Sequence, residues 1–129
     1  MLDHLGLVVS DPEKSRLFYE RALAPLGYTV LISPPKEVTG GRVVLGFGVP
    51  PKPDFWILSG TPNEPRLHVA FRAESRKQVD EFYRAALEAG GKDNGAPGLR
   101  PQYHKDYYGA FVLDPDGHNI EAVCHAPEG

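Results

Sequence analysis

The sequence predicts an α+β fold built from two βαβββ units in tandem. Three observations predict it. The chain matches itself at a shift of 64 residues: His4 falls on His68, Phe18-Tyr19 on Phe82-Tyr83, Ala22-Leu23 on Ala86-Leu87, Gly27 on Gly91, Phe47 on Phe111 and Pro51 on Pro115. A self-match at one period marks a repeated structural unit. This period is too long for a solenoid and too short for an independent domain, so the two copies share a core. Each half also shows the same succession of patterns: strand, helix, three strands. Finally, the histidine pair sits at equivalent places in the first strand of each half. The 129 residues read as a single domain, 1–129, with unit one at about 1–60 and unit two at about 65–125.

The elements follow from local pattern. Residues 2–9 alternate and are rich in Leu and Val, a strand signal. Ser10 and Glu13 form an S-x-x-E capping box, and Pro12 suits a first helical turn, so a helix is expected over 12–23. Pro25 and Gly27 stop it. Strands are expected at 28–33, 42–48 and 55–59, with Pro50, Pro51 and Pro53 forcing a turn between the last two. In the second half a strand is expected at 66–72. Ser75 and Gln78 form another capping box, the helix covers 76–89, and Gly90-Gly91 ends it. A short strand at 92–95 precedes a loop at 96–106. Strands at 107–113 and 118–124 flank the turn Asp114-Pro115-Asp116-Gly117, a hairpin signal. Ala126–Gly129 reads as a loose tail.

Composition narrows the function classes. Hydrophobic residues make up 41% and charged residues 24%, as in soluble globular proteins. The net charge of −3 gives no basic face for nucleic acid. Cys124 is the only cysteine, so no intrachain disulfide is expected. No stretch approaches the roughly 20 apolar residues of a membrane span. The first residues lack a signal-peptide pattern, and a cytoplasmic location is expected.

Strand parity selects the candidate site, because successive side chains point to opposite faces of a sheet. Leu5, Leu7 and Val9 face the helices, which turns His4 to the other side. Leu67, Val69 and Phe71 turn His68 the same way. Ile120, Ala122 and Cys124 face the core, leaving Glu121 opposite. Two imidazoles and a carboxylate on one face are the donors of a mononuclear metal site with open positions. For each residue alone, a hydrogen-bonded structural histidine or a solvated glutamate is the commoner role.

These motifs resemble the vicinal oxygen chelate superfamily, which includes glyoxalase I, extradiol dioxygenases, fosfomycin-modifying enzymes and bleomycin-resistance proteins. The resemblance rests on Asp3–Asp11 (DHLGLVVSD), Ser15–Tyr19 (SxxFY), Leu67–Phe71 (LHVAF) and Phe111–Glu121 (FVLDPDGHNIE). It implies curved sheets forming a cup around a divalent ion (Fe, Mn, Zn or Ni) held by His4, His68 and Glu121. It also implies a small oxygen-chelating substrate, lyase, isomerase or dioxygenase chemistry, and a homodimer. The cup is built within one chain or across two swapped halves. The alternative is a bleomycin-resistance-like protein that sequesters a ligand without turnover.

The chain departs from each branch. The 64-residue shift maps Glu121 onto Ile57, so the extra glutamate of glyoxalase I is missing. Ten residues before Glu121, where other branches carry a tyrosine, stands Phe111. Phe55, Ile57, Tyr107 and Phe111 are expected to line the pocket by parity, with Trp56 packed on a helix. His104 and Tyr107 are the candidate catalytic groups, His104 as a proton carrier near neutral pH. The plainer readings are an exposed His104 and Tyr107 as an ordinary strand aromatic. His118 is read as structural or exposed, and Cys124 as a packed thiol.

Overall fold

A computed structural model describes residues 1–127; of the expected loose tail, Glu128 and Gly129 lie outside the described residues. The elements are β1 (Leu5–Val9), α1 (Pro12–Leu23), β2 (Thr29–Ile32), the single turn α2 (Lys36–Thr39), β3 (Val44–Gly48), β4 (Phe55–Ser59), β5 (His68–Arg72), α3 (Arg76–Glu88), β6 (Lys92–Leu99), β7 (Tyr108–Leu113) and β8 (Asn119–Cys124). They form two mixed four-stranded sheets, ordered β1-β4-β3-β2 and β5-β8-β7-β6. In each, the first and last strands of the unit run parallel and the remaining pairs antiparallel. The tandem βαβββ architecture is therefore present.

The helices begin where their caps place them. Asp11, not Ser10, caps α1: its carboxylate accepts from the Lys14 N–H. Ser10 instead bonds Asp116, across the unit boundary. Ser75 caps α3 through the Gln78 N–H, and the Gln78 side chain accepts from the Glu74 N–H. The α3 helix ends as Gly90 takes a positive φ of 98° and the Gly91 N–H closes on the Ala86 carbonyl. Both helices turn their apolar residues inward. Phe18, Tyr19, Ala22 and Leu23 from α1 join Val79, Phe82 and Ala86 from α3, and all are fully buried. They pack with Leu7, Val9, Phe47, Phe55, Ile57, Phe71 and Ile120 in one core shared by both units.

Two strand expectations change. The predicted short strand at 92–95 is an eight-residue edge strand, β6, carrying Pro97. Proline is tolerated at an edge, and the pairing with β7 slips twice on the way. The self-match also slips. Leu5 pairs with Phe55 and Gly6 with Trp56, whereas Val69 pairs with Ile120 and Ala70 with Glu121. Since Gly6 and Ala70 are equivalent, the counterpart of Glu121 is Trp56, not Ile57. The coincidences Phe47/Phe111 and Pro51/Pro115 lie beyond this one-residue slip and have no structural meaning.

The turn 114–118 ties the units together. The buried Tyr19 hydroxyl donates to Asp114, whose other oxygen accepts from the Asp116 and His118 N–H groups. His118 is fully buried. Its Nδ1 accepts from Leu67 N–H at 3.0 Å, so Nε2 carries the proton and donates to the Val8 carbonyl at 3.1 Å. His118 is thus structural, the first of the two roles open to it.

Candidate metal centre and ligand groove

His68 opens β5, and its side chain is 54% exposed. Glu121 lies mid-strand in β8, where β5 and β7 flank it on either side, and only 1% of it is exposed. His68 Nε2 donates to Glu121 Oε1 at 2.7 Å. The second oxygen, Oε2, accepts from the Tyr107 hydroxyl. Burial and this bond to a carboxylate push the Tyr107 phenol well above its ordinary range, so it stays protonated near neutral pH. Gly109 makes the Tyr107–Glu121 contact possible. A methyl group there would stand 3.1 Å from the Tyr107 ring and 3.3 Å from Glu121 Oε2. Phe111 pairs directly with Glu121 across β7–β8 and shares its face. The Phe111 ring lies 6.2 Å from the His68 ring and 5.4 Å from the Arg100 guanidinium.

The pair suits a cation. Two donors at about 2.1 Å from one ion, at angles between octahedral and tetrahedral, stand about 3.0–3.4 Å apart. His68 and Glu121 need spread only a few tenths of an ångström from 2.7 Å, with the ion replacing the shared proton.

His4 is not brought to them. Its side chain is 59% exposed just before β1, and Nδ1 donates to Asp3 Oδ2 at 2.7 Å. Lys52 holds Asp3 as well, and these partners keep the Asp3 carboxyl below its usual range, the Lys52 contact most strongly. A carboxylate only accepts, so His4 carries its proton on Nδ1 and presents an open lone pair at Nε2. This is the carboxylate–histidine arrangement that prepares metal ligands. His4 lines a small cleft with Val69, Ala70, Phe71 and Arg72, and neither His68 nor Glu121 is among the residues lining it. Among the described residues, no three His, Cys, Asp or Glu side chains are placed so that they could hold one metal ion. One chain therefore holds two of the three expected donors at one place and the third at another.

The remaining candidates divide. Phe55 and Ile57 do not line the apolar groove: each is 1% exposed and packs in the core, paired with Leu5 and Leu7, and Phe55 borders only the small cleft beside His4. The one-residue slip is the physical reason, since it reverses their parity. Trp56, expected against a helix, instead joins His4, Gly6, Val44 and Leu58 in an open apolar groove of about 450 Å³. His104 accepts the Asp106 N–H at Nδ1, so its Nε2 donates to His125 Nδ1 at 2.8 Å. Both imidazoles lie edge-on to the Tyr107 ring, as does Tyr103. His104 thereby fixes the place of Tyr107, and its own hydrogen bonds go to Asp106 and His125. Cys124 is buried.

A family model described as the Glyoxalase/Bleomycin resistance protein/Dioxygenase superfamily matches residues 1–122. Among solved structures, a glyoxalase/bleomycin resistance protein from Albidiferax ferrireducens T118 is 28% identical with a TM-score of 0.72, covering 96% of this chain and 98% of that one. The fosfomycin resistance protein FosX from Listeria monocytogenes, complexed with Mn(II) and sulfate, is 19% identical with a TM-score of 0.68, covering 98% and 93%. A V278E glyoxalase I mutant from Zea mays is 16% identical with a TM-score of 0.69, covering 98% of this chain and 45% of that one. The last two likenesses show a shared fold. No curated protein sequence matches the chain. Among the described residues, no helix is long and apolar enough to cross a membrane.

Proposed function

The chain belongs to the glyoxalase/bleomycin resistance protein/dioxygenase superfamily, and on that premise we propose that it is a metal-dependent enzyme acting on a small oxygen-bearing molecule. The proposed ion is divalent and is held by His68 and Glu121 of one protomer and His4 of a second copy. One observation carries this reading: a buried carboxylate meets an imidazole nitrogen at 2.7 Å on an open sheet face, its other oxygen held by a tyrosine. Burying a carboxylate is costly even when both its oxygens are hydrogen-bonded, and such groups cluster where they bind ions or do chemistry. The separate place of His4, with its Nε2 lone pair free, supports a site completed by dimerisation. The relative FosX, described with Mn(II), supports a divalent ion.

A bound ion would supply Lewis acidity to substrate oxygens and stabilise negative charge developing on them. The chain's own residues define the rest. Tyr107 holds the Glu121 carboxylate in one orientation and keeps its proton on that bond through the neutral range. His104 and His125 buttress its ring. Phe111 excludes water beside Glu121. Trp56 occupies the position equivalent to Glu121 in the first unit, so a second carboxylate does not face the first across the pseudo-twofold. Chemistry that needs paired glutamates is therefore not expected; a single-carboxylate isomerase, lyase or dioxygenase fits.

The test is metal content after purification without chelators. Wild type is expected to retain close to one ion per chain, and His4→Ala and Glu121→Ala to lose it. Unchanged content in both variants would remove the premise. Oxygen uptake on adding substrate separates dioxygenase from isomerase or lyase chemistry, and ligand binding without turnover would point to sequestration.

A further inference from the structure

The open face of the first sheet carries a feature that metal binding does not require. In register, Trp56 is flanked by Gly6 on β1 and Gly46 on β3. A methyl group at Gly46 would lie 2.9 Å from Cη2 and Cζ3 of the indole, so the outer end of the ring reaches over the bare backbone of β3. A methyl group at Gly6 would come within 3.0 Å of the Leu58 side chain, so this glycine leaves the floor low on the other side. Val44, Leu58 and Pro53 wall the resulting groove of about 450 Å³, and its polar groups, His4, Asp3 and Lys52, gather at one end. An apolar hollow of this size with a few polar groups at one end has the form of a small-molecule site. In the second unit the same three positions are Ala70, Glu121 and Phe111, so the glycine-flanked indole is particular to the first unit.

We infer that Trp56 is a specificity residue: the substrate carries a flat aromatic ring that stacks on the Trp56 indole while its oxygen-bearing end reaches the metal beside His4. This rests on the metal-site reading, because that reading fixes which end of the groove is polar. An indole flanked in register by two glycines offers an aromatic ring a stacking partner with little side chain beside it, a contact an alkyl chain cannot match. Trp56 is the only tryptophan in the chain, so its fluorescence reports occupancy of the groove directly.

The experiment compares mandelate with lactate, two 2-hydroxy acids with the same chelating head and differing in a phenyl ring. Binding to the metal-loaded protein is measured by calorimetry, with Trp56 fluorescence followed in parallel. Mandelate is expected to bind at least about tenfold more tightly than lactate and to perturb the fluorescence. Trp56→Ala and Trp56→Leu are expected to weaken mandelate by about ten- to hundredfold, the range for loss of an aromatic stacking partner, and to leave lactate and metal content unchanged. Trp56→Phe is expected to stay within about threefold of wild type. Equal affinity for the two acids, or mandelate binding that survives Trp56→Leu, would overturn the inference. So would a shelf filled by the second copy, which gives the first of these results. Failure of the metal reading looks different: Glu121→Gln would then leave metal and lactate binding as in wild type. A mandelate-induced fluorescence change in Glu121→Gln protein would show the shelf acting without the ion.

Discussion

Two defective chains are expected to restore each other. If His4 of one protomer completes the His68–Glu121 pair of another, His4→Ala and Glu121→Gln homodimers each lack a donor at both sites. Unfolded together in equal amounts and refolded, the chains pair at random, and about half the dimers are mixed. In a mixed dimer one site takes His4 from the Glu121→Gln chain and an intact His68–Glu121 pair from the other. It is complete, while its twin lacks both groups. The mixture should therefore hold about one quarter of the wild-type metal, against close to none for either parent, because one of two sites works in half of the dimers. Neither change removes packing in the core: His4 is exposed, and Gln keeps the shape of Glu121 with one oxygen still able to accept a hydrogen bond. Metal analysis of the dimer fraction after gel filtration reads the result. A mixture holding no more metal than its parents would refute the shared site, since sites built within one chain cannot complement.

Other consequences can be measured singly. Tyr107→Phe removes the hydroxyl that holds Glu121 and should weaken metal binding by about ten- to a hundredfold by titration calorimetry, the usual cost of losing a ligand's supporting bond; unchanged affinity would deny Tyr107 that part. Tyr19→Phe leaves the buried Asp114 with only its backbone donors and should cost about 1–3 kcal/mol, read as a lower urea midpoint at unchanged slope. Burial already raises the Asp114 carboxyl above its usual range, and the Tyr19 bond opposes this. The contribution of Asp114 is therefore fully present at acid pH and falls as pH rises through the carboxylate range, a fall that should lie at higher pH in Tyr19→Phe. At the alkaline end, burial chiefly and carboxylate partners next raise the phenols of Tyr19, Tyr28 and Tyr107. Phenolate absorbance should show them resisting ionisation at the ordinary value of about 10, with stability lost only as pH climbs past it.

The duplication, the helix at 12–23, the strand at 55–59 and the shared face of His68 and Glu121 on β5 and β8 were legible in the sequence because each rests on a period or a local signal. Alternation set the parity of His68 and Glu121 within their own strands, and it needed no knowledge of register. What failed had to cross from one strand to another. Ile57 was paired with Glu121 by counting, and a single-residue slip between β1 and β4 put Trp56 there instead. Period-2 structure makes that error total, since one residue exchanges the two faces. The same slip carried Phe55 and Ile57 into the core. The cap at Asp11 was missed because Ser10 offers an equally good hydroxyl, and only the tertiary partner Asp116 draws it away. The separation of His4 from His68 depends on how the units pack, which no local pattern encodes. The His104–His125 contact joins a loop to the end of a strand and was invisible for the same reason.

The longest shared motif in the chain, Phe111–Glu121, mixes two kinds of constraint. Phe111 and Glu121 face the site, while Asp114, Asp116 and His118 face the seam between units, where they bond Tyr19, Ser10 and Val8. A change in the turn at 114–118 therefore moves the end of β8, and with it the carboxylate. This couples the stability of the seam to the geometry of the site through three residues of strand, from His118 to Glu121. The first unit has no matching turn after β3: Pro50, Pro51 and Pro53 stand there instead, and its counterpart of Glu121 is an indole lying on glycine. On the proposed metal reading, that unit contributes only His4 to an ion, and its central position carries a ring instead of a carboxylate. If the site is shared as proposed, the two halves of the duplication hold different ends of one substrate, and the complementation of His4→Ala by Glu121→Gln is the measurement that decides it.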